Sequence, residues 1–263
     1  MVDDGLYTKH KVPVPDYLLG QHVVAMKTGT LGSRSGTLMA GADSLKITIH
    51  GQGGHGSQPH TTIDPVVMAS HIVVRLQSIV SREINPSDIS VLTVGCLKAG
   101  QIENVIADHA EIGVDTRSMR PETREKLLAS IRRVVDAECQ ASNATAPPEY
   151  KISRHFPVTS NDASMTETLV GSFKSHFGES YQEMQAVTMS EDFSILATSQ
   201  NRPSVFWAFG GIEAGFWDQK VAEGKVNEVP SNHTSKFAPV LDPTLRTGVE
   251  AFTVGALTFF NKK

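Results

Sequence analysis

The segment Ser44-Leu45-Lys46-Ile47-Thr48-Ile49-His50 is the first regular pattern of the domain that can be identified from the sequence. Its apolar residues alternate with polar ones, and this period of two predicts a β-strand with one buried face. A glycine-rich turn, Gly51-Gln52-Gly53-Gly54-His55-Gly56, follows directly. Beyond the turn, apolar residues recur at helical spacing from Ile63 to Val80, so we expect a helix there, capped by Thr61-Thr62.

Four further elements complete a domain after this first strand and helix. Apolar runs at 88–96 and 110–117 predict two strands that form a hairpin pair. A second helix is expected from Pro121, because proline favours the first helical turn and acidic residues follow it. With a last strand at 150–156, the order becomes strand, helix, strand, strand, helix, strand. Residues 43–156 are therefore predicted to form a ferredoxin-like α+β domain, a four-stranded antiparallel sheet with two helices on one face.

The segments on either side of this domain, residues 1–42 and 157–263, have a different pattern. Helical runs at Met165–Phe177 and Pro243–Phe260 alternate with short apolar strands such as Val205–Phe209. Alternation of helices and strands is typical of α/β proteins. The two segments are therefore predicted to form one α/β domain, into whose sequence the ferredoxin-like domain is inserted.

Composition excludes several classes of partner. The chain has 24 basic and 28 acidic residues, a net charge of -4 and no dense run of Lys or Arg, so we expect no nucleic-acid partner. No apolar run is long enough to span a bilayer, so no membrane association is expected. Cys96 and Cys139 form neither a disulfide framework nor a paired metal motif. We interpret both as reduced thiols of a cytoplasmic protein.

The glycine turn at 51–56 also satisfies the G-x-G-x-x-G pattern of dinucleotide-binding proteins. That motif needs its third glycine to open a helix, whereas here Pro59 follows three residues after Gly56 and the helical pattern begins later. A nucleotide-binding module is therefore kept only as a minor hypothesis. The competing interpretation is a flexible turn that presents His55.

A series of short motifs, in order along the chain, is similar to one protein family. The series is Gly5-Leu6-Tyr7, Pro13-x-Pro15-Asp16, Gly20-Gln21-His22-Val23, Gly36, Met39-Ala40, Gly53-Gly54-His55-Gly56, Pro59-His60, Asp64-Pro65, Gln77-x-Ile79-Val80-Ser81-Arg82, Asn104-Val105-Ile106, Thr116-Arg117, Ser190-Glu191-Asp192-Phe193 and His233. On these motifs the chain resembles the amidohydrolase branch of the zinc peptidases, peptidase family M20, which includes hippurate hydrolases, aminoacylases and auxin-conjugate hydrolases. The resemblance runs from Met1 to about Phe260.

The resemblance implies an architecture for the whole chain. Residues 1–42 and 157–263 correspond to a zinc-peptidase (phosphorylase/hydrolase-like) α/β catalytic domain, and residues 43–156 to an inserted lid domain through which members often dimerise. A homodimer through the lid domain is therefore expected. The resemblance also implies that the chain lacks roughly the front third of a family member, so that its catalytic domain is incomplete at the N-terminus.

Two histidines are implied as metal ligands. Family members of this branch bind two divalent ions through a Cys, three His and a Glu, and His22 and His233 match two of these five positions. The ion is zinc, manganese or cobalt, and the sequence does not choose between them. Two protein ligands are fewer than the three or four of a zinc site. We therefore expect this chain to bind the metals incompletely, because the other ligands and the general base precede the matched region.

Three further residues are implied to act on the substrate. His55 resembles the lid histidine that stabilises the oxyanion of the tetrahedral intermediate in the neighbouring subunit; its alternative is a solvent-facing loop residue. Asn104 and Arg117 resemble the amide and guanidinium that hold the polar end of the substrate. An Arg presents a planar fork that suits a carboxylate, although a surface role is the alternative for Arg117. His60 is given at most a supporting part.

The adjacent carboxylates Glu191 and Asp192 are not assigned as an acid–base pair. On an extended strand, neighbouring side chains point to opposite faces, so both cannot line one site. In the family this Ser-Glu-Asp-Phe segment borders the active site without supplying a ligand set.

Two functional hypotheses follow. The first is a metal-dependent amidohydrolase that cleaves the amide bond of N-acyl amino acids or amino-acid conjugates, of which this chain carries the C-terminal part. The second is a non-catalytic truncated homologue that acts as a dimerisation or regulatory partner. The acyl group, the amino acid and the activity of this chain alone are left open by the sequence.

Overall fold

The computed structural model describes residues 1–260, and these form two compact units. The first unit comprises Met1–Leu38, Thr159–Val187 and the chain from Asp192 onward, and the second comprises Met39–Val158 with Thr188–Glu191. None of the helices within residues 1–260 is both long enough and apolar enough to cross a membrane.

The regular elements are twelve strands and six helices in the described part of the chain. The strands are β1 (Leu18–Lys27), β2 (Leu31–Ser33), β3 (Gly36–Met39), β4 (Gly41–His50), β5 (Gly54–His55), β6 (Ser90–Ala99), β7 (Val105–Ile106), β8 (His109–Ser118), β9 (Glu149–Phe156), β10 (Thr159–Asn161), β11 (Tyr181–Glu183) and β12 (Ser204–Ile212). The helices are α1 (Pro65–Arg82), α2 (Pro121–Ala141), α3 (Ala163–Phe177), α4 (Ser194–Thr198), α5 (Ala214–Ala222) and α6 (Thr244–Phe260).

The second unit is built on a four-stranded antiparallel sheet in the order β6-β8-β4-β9. This order and the helices α1 and α2 confirm the predicted ferredoxin-like arrangement. The alternation seen in the sequence defines the two faces of the sheet: Ile47 pairs with Ile112, and both are fully buried against the helices. The neighbouring residues Glu111 and Asp115 lie on the other face, which we call the open face.

The start of the first helix of this unit differs from the prediction. Thr61 ends a short 3-10 turn, and α1 begins only at Pro65. The Asp64 side chain caps it by accepting the backbone N–H groups of Val66 and Val67, at 2.8 and 3.4 Å. The predicted Thr61-Thr62 cap is therefore wrong, because an Asp before a Pro offers both a better acceptor and a preset first helical residue.

The first unit is an α/β structure, in agreement with the sequence pattern. Its four-stranded sheet has the order β1-β12-β2-β11, with β1 and β12 parallel. The central strand β12 is buried over nearly its whole length. Trp207 of β12 packs edge-on to Phe173 of α3, with ring centroids 5.3 Å apart, and Ala251 of α6 lies in the same core. The predicted helices at 165–177 and 243–260 are confirmed with small shifts at their ends.

Candidate metal and substrate site

His22 lies on β1, in register with Ala208 of β12. Its Nδ1 atom is 2.6 Å from the carbonyl oxygen of Val23. A carbonyl oxygen can only accept, so Nδ1 carries the hydrogen and the lone pair is on Nε2. Metal-binding histidines are usually held in this way, with one ring N–H donated to a carbonyl or carboxylate. His22 is therefore prepared to bind a cation through Nε2.

The loop that carries His233 lies against the same point of β1. Asn232 donates its Nδ2 hydrogen to the Val23 carbonyl at 2.8 Å, so this one oxygen accepts from both His22 and Asn232. His233 itself has a positive φ of 66°, in a turn closed by the bond from the Thr234 backbone N–H to the Ser231 carbonyl. A shared acceptor thus brings the two predicted metal-binding segments together from opposite ends of the sequence.

The donor set is smaller than a metal site requires. Within residues 1–260, no three His, Cys, Asp or Glu side chains are grouped closely enough to hold a metal ion. His22 fits the role chemically, since its free nitrogen is a good ligand for zinc, manganese or cobalt. The residues present can therefore supply only part of a metal centre, with at most two ligands, His22 and His233.

His55 is held in the opposite tautomer. It lies in β5, where it pairs with Val105 of β7. Its Nδ1 accepts the backbone N–H of Ser57 at 3.1 Å and the Ser57 hydroxyl at 2.7 Å. A backbone N–H can only donate, so Nδ1 is bare and the neutral ring carries its hydrogen on Nε2. His55 is therefore a hydrogen-bond donor at Nε2.

The glycine turn brings His55 next to Asn104. The Gly56 backbone N–H donates to the Asn104 carbonyl at 2.8 Å, and a Cβ on residue 56 would lie 3.0 Å from that oxygen. This close approach favours glycine at residue 56, and no helix opens at Gly56, since α1 begins only at Pro65. This geometry does not match a dinucleotide-binding loop.

Arg117 projects from the open face of β8. Its Nε donates to Asp115 Oδ1 at 2.8 Å and its Nη1 to Ser190 Oγ at 2.5 Å. Arg117 and Asp115 are both about three-quarters buried, with 26% and 29% of their side chains exposed. The guanidinium is thus fixed on two sides.

The other candidate residues, His60, Glu191 and Asp192, lie outside the regular strands. His60 is exposed on the 3-10 turn at Pro59–Thr61. Glu191 and Asp192 lie in a loop before α4, so the strand alternation used to separate their side chains does not apply to them.

Four residues that hold or adjoin the candidate residues were not identified from the sequence: Ser57, Asp115, Ser190 as a partner of Arg117, and Asn232. For Asp115 a signal was present, because residues i and i+2 of a strand share a face, which places it beside Arg117. Ser57 is two residues from His55 and offers two donors to the ring. The contacts of Ser190 and Asn232 join distant segments, and no local pattern indicates them.

Comparison with known proteins places the chain in a family. Residues 39–143 match the model of the peptidase dimerisation domain of the M20 peptidases. Thermostable carboxypeptidase 2 of Saccharolobus solfataricus is 30% identical over 94% of this chain and 59% of its own length. N-acetyldiaminopimelate deacetylase of Anoxybacillus flavithermus is 34% identical over 77% of this chain and 53% of its own. The chain thus spans little more than half the length of these curated relatives.

Two solved structures have a fold similar to that of this chain. A protein of methicillin-resistant Staphylococcus aureus superposes with a TM-score of 0.73 at 27% identity, covering 98% of this chain and 60% of that one. Bacillus subtilis YxeP, a dinuclear metal-binding peptidase of the M20 family, shares the fold with a TM-score of 0.65 at 22% identity, covering 98% and 58%. The domain match and the likeness to the carboxypeptidase and the deacetylase place the chain in the M20 peptidase and amidohydrolase family.

Proposed function

We propose that the chain carries one part of a metal-dependent amidohydrolase, which cleaves the amide bond of N-acyl amino acids or amino-acid conjugates. The observation that carries the proposal is the Val23 carbonyl, which orients His22 and anchors the His233 loop through Asn232. Relatives named as a deacetylase and a carboxypeptidase support hydrolysis at an amide bond.

In this proposal His22 and His233 supply two ligands of a two-metal site, and residues outside this chain supply the others. Zinc, manganese or cobalt bound there would lower the pKa of a bound water and polarise the scissile carbonyl. His22 contributes a fixed nitrogen at no cost in reorientation, because its ring is already held by Nδ1. Asn232 acts as the residue that holds the second ligand segment in place.

The second unit supplies the substrate contacts in the same proposal. His55 offers its Nε2 hydrogen to the oxygen on which negative charge develops, and one such donor contributes about 3 kcal/mol to catalysis in related chemistry. Asn104 and Arg117 hold the carboxylate end of the N-acyl amino acid. Residues 39–158 form the lid and dimerisation domain, and the protein is a homodimer through that domain.

Metal binding by this chain tests the proposal without requiring activity. We expect titration with Co²⁺, followed by its visible absorption, to show that His22→Ala lowers affinity about tenfold or more, since metal sites respond this strongly even to loss of outer-shell partners. His71→Ala is the matched control, because His71 is an exposed histidine paired with Glu138 on the helical side of the other unit. Equal affinity of wild type and His22→Ala contradicts the metal role.

Hydrolysis tests the activity itself. The chain is fused behind the front segment of a relative that lies outside the match, loaded with metal and assayed on a panel of N-acyl amino acids. Release of the amino acid is expected from at least one of them. A metal-loaded fusion that hydrolyses none of the panel refutes the amidohydrolase proposal.

A second candidate function is a non-catalytic partner that acts through its dimerisation domain. It is favoured by a completely formed ferredoxin-like unit, matched by the dimerisation-domain model, beside a donor set of only two histidines among residues 1–260. Sedimentation of the chain as a monomer at all concentrations, with no co-purifying family member, contradicts this alternative.

A further inference from the structure

The fixed guanidinium of Arg117 is the feature from which a further role can be inferred. A guanidinium has five N–H groups. Within residues 1–260, Asp115 and Ser190 engage two of them, at Nε and Nη1, which leaves three for a ligand. Most surface arginines must lose side-chain freedom to bind an anion, whereas this one is already held in a single orientation.

Asp115 is itself held in place by residues of neighbouring strands. Its Oδ2 accepts the Ser44 hydroxyl at 2.8 Å, and Ser44 is its direct partner across β4 and β8. The Ser44 oxygen in turn accepts the Arg154 Nε hydrogen of β9 at 3.4 Å. Both oxygens of Asp115 therefore have a donor, and the carboxylate cannot turn without breaking contacts on β4 or β8.

Ser190 fixes the other side of the guanidinium. It belongs to the segment Thr188–Glu191, which packs with the second unit although it is far from the rest of that unit in sequence. Its hydroxyl oxygen accepts the Arg117 Nη1 hydrogen across 73 residues. Within the Ser-Glu-Asp-Phe motif, Ser190 therefore holds one side of the Arg117 guanidinium.

We infer that Asp115 and Ser190 are positioning residues, which orient Arg117 so that its three remaining N–H groups meet the carboxylate of an N-acyl amino acid. The inference rests on the proposed function, in which Arg117 binds that carboxylate. The direction in which loss of the Asp115 charge changes the affinity for an anionic ligand distinguishes two interpretations. By charge alone, Asp115 repels an anionic substrate, so its neutralisation strengthens binding; by positioning, its loss weakens binding.

Ligand binding to the chain distinguishes these signs. The probes are N-acetyl-L-leucine and its neutral counterpart N-acetyl-L-leucinamide, measured by calorimetry or NMR titration. Asp115→Asn and Ser190→Ala are each expected to weaken binding of the acid about tenfold, the effect of losing one charge-assisted contact. Binding of the amide is expected to stay unchanged. Unchanged or tighter binding of the acid by Asp115→Asn overturns the inference.

A matched control and a direct view of the arginine complete the experiment. Glu111→Gln removes a carboxylate on the same strand and face, paired with Lys46 at 2.6 Å, and is expected to bind both probes as wild type does. In protein labelled with ¹⁵N-arginine, the Nε–H signal that Arg117→Lys removes is expected to exchange slowly with water in wild type and at least tenfold faster in Asp115→Ala. Equal exchange rates overturn the inference whether or not a ligand binds.

The outcomes separate the inference from the function on which it rests. If Arg117→Lys binds the acid as well as wild type does, Arg117 is not the carboxylate site, and the proposed function loses its substrate contact. If Arg117→Lys loses the acid while Asp115→Asn and Ser190→Ala retain it, only the positioning inference fails.

Discussion

Replacement of Arg124 by Met is expected to destabilise the second unit through a buried carboxylate. Asp43 on β4 is 1% exposed, and Arg124 of α2 donates to both of its oxygens, from Nε at 2.6 Å and from Nη2 at 2.7 Å. His155 of β9 contributes a third contact at 2.8 Å through Nδ1. The hydrogen bond to Asp43 raises the pKa of the Arg124 guanidinium, in line with a strong pairing.

The magnitude follows from what remains after the substitution. Removing one partner of a buried ion pair costs about 3–5 kcal/mol, because a charge is left without compensation. Arg124 is itself 30% exposed and His155 still contacts Asp43, so we expect the lower end, about 3 kcal/mol. The double variant Asp43→Asn/Arg124→Met removes the stranded charge and is expected to recover about half of that loss.

The assay must report on this unit alone. Both tryptophans, Trp207 and Trp217, lie in the first unit, so their fluorescence is not the right probe. Amide hydrogen exchange at the buried strand residue Ile112 reports the opening free energy of the second unit. Arg133→Met is the control, since its ion pair with Glu83 is more exposed than Arg124–Asp43, with 58% and 30% of the two side chains exposed, and is expected to contribute less than about 1 kcal/mol. The reasoning is refuted if Arg124→Met and Arg133→Met have equal effects, or if the double variant is less stable than Arg124→Met.

Three further predictions concern Cys139 and Ser57. Burial, with a smaller contribution from nearby carboxylates, raises the pKa of Cys139 to about 11. At pH 8 a thiol reagent is therefore expected to modify exposed Cys96 rapidly and buried Cys139 only when the chain unfolds. Equal rates of modification at the two cysteines contradict this. Between pH 9 and about 11 the folded chain keeps the Cys139 proton, whereas the unfolded chain has released it. Cys139 therefore contributes about 2–3 kcal/mol to the free energy of unfolding below pH 9, and this contribution is lost as the pH rises to about 11. Urea denaturation of wild type and Cys139→Ala across this pH range measures the loss. Ser57→Ala removes the hydroxyl and keeps the backbone N–H, so it is expected to increase the share of the His55 tautomer with hydrogen on Nδ1, seen in long-range ¹H–¹⁵N NMR spectra. An unchanged ratio shows that the Ser57 hydroxyl does not set the tautomer.

Much of the second unit was predictable, because alternation and helical spacing report directly on burial. The apolar positions of 44–50 and 110–117 mark the face that meets the helices, and β4 and β8 pair as that pattern requires. The exact start of α1 was not predictable in this way, since Thr61-Thr62 and Asp64 are both acceptable caps. The Asp64-Pro65 pair decides between them, because Asp is the stronger cap and Pro suits the first helical turn.

The candidate site was predictable as a set of residue types but not as a set of contacts. Resemblance indicated His22, His55 and Arg117, because short motifs surround them. Their hydrogen-bond partners arise from tertiary structure: Asn232 reaches Val23 across 209 residues. A periodic pattern encodes which face of an element is buried, and it carries no information about which distant side chain will meet a given carbonyl.

The interrupted sequence of the first unit dictates an order of events during translation. Strand β1 ends at Lys27, yet its parallel partner β12 begins only at Ser204, whereas the last sheet strand of the second unit is complete at Phe156. On the ribosome the inserted unit can therefore form its four-stranded sheet before β12, the strand that pairs with β1 among residues 1–260, has been synthesised. Until residue 204 has been synthesised, the edge of β1 that pairs with β12 has no partner among residues 1–260, and an unpaired strand edge of this kind is prone to aggregation.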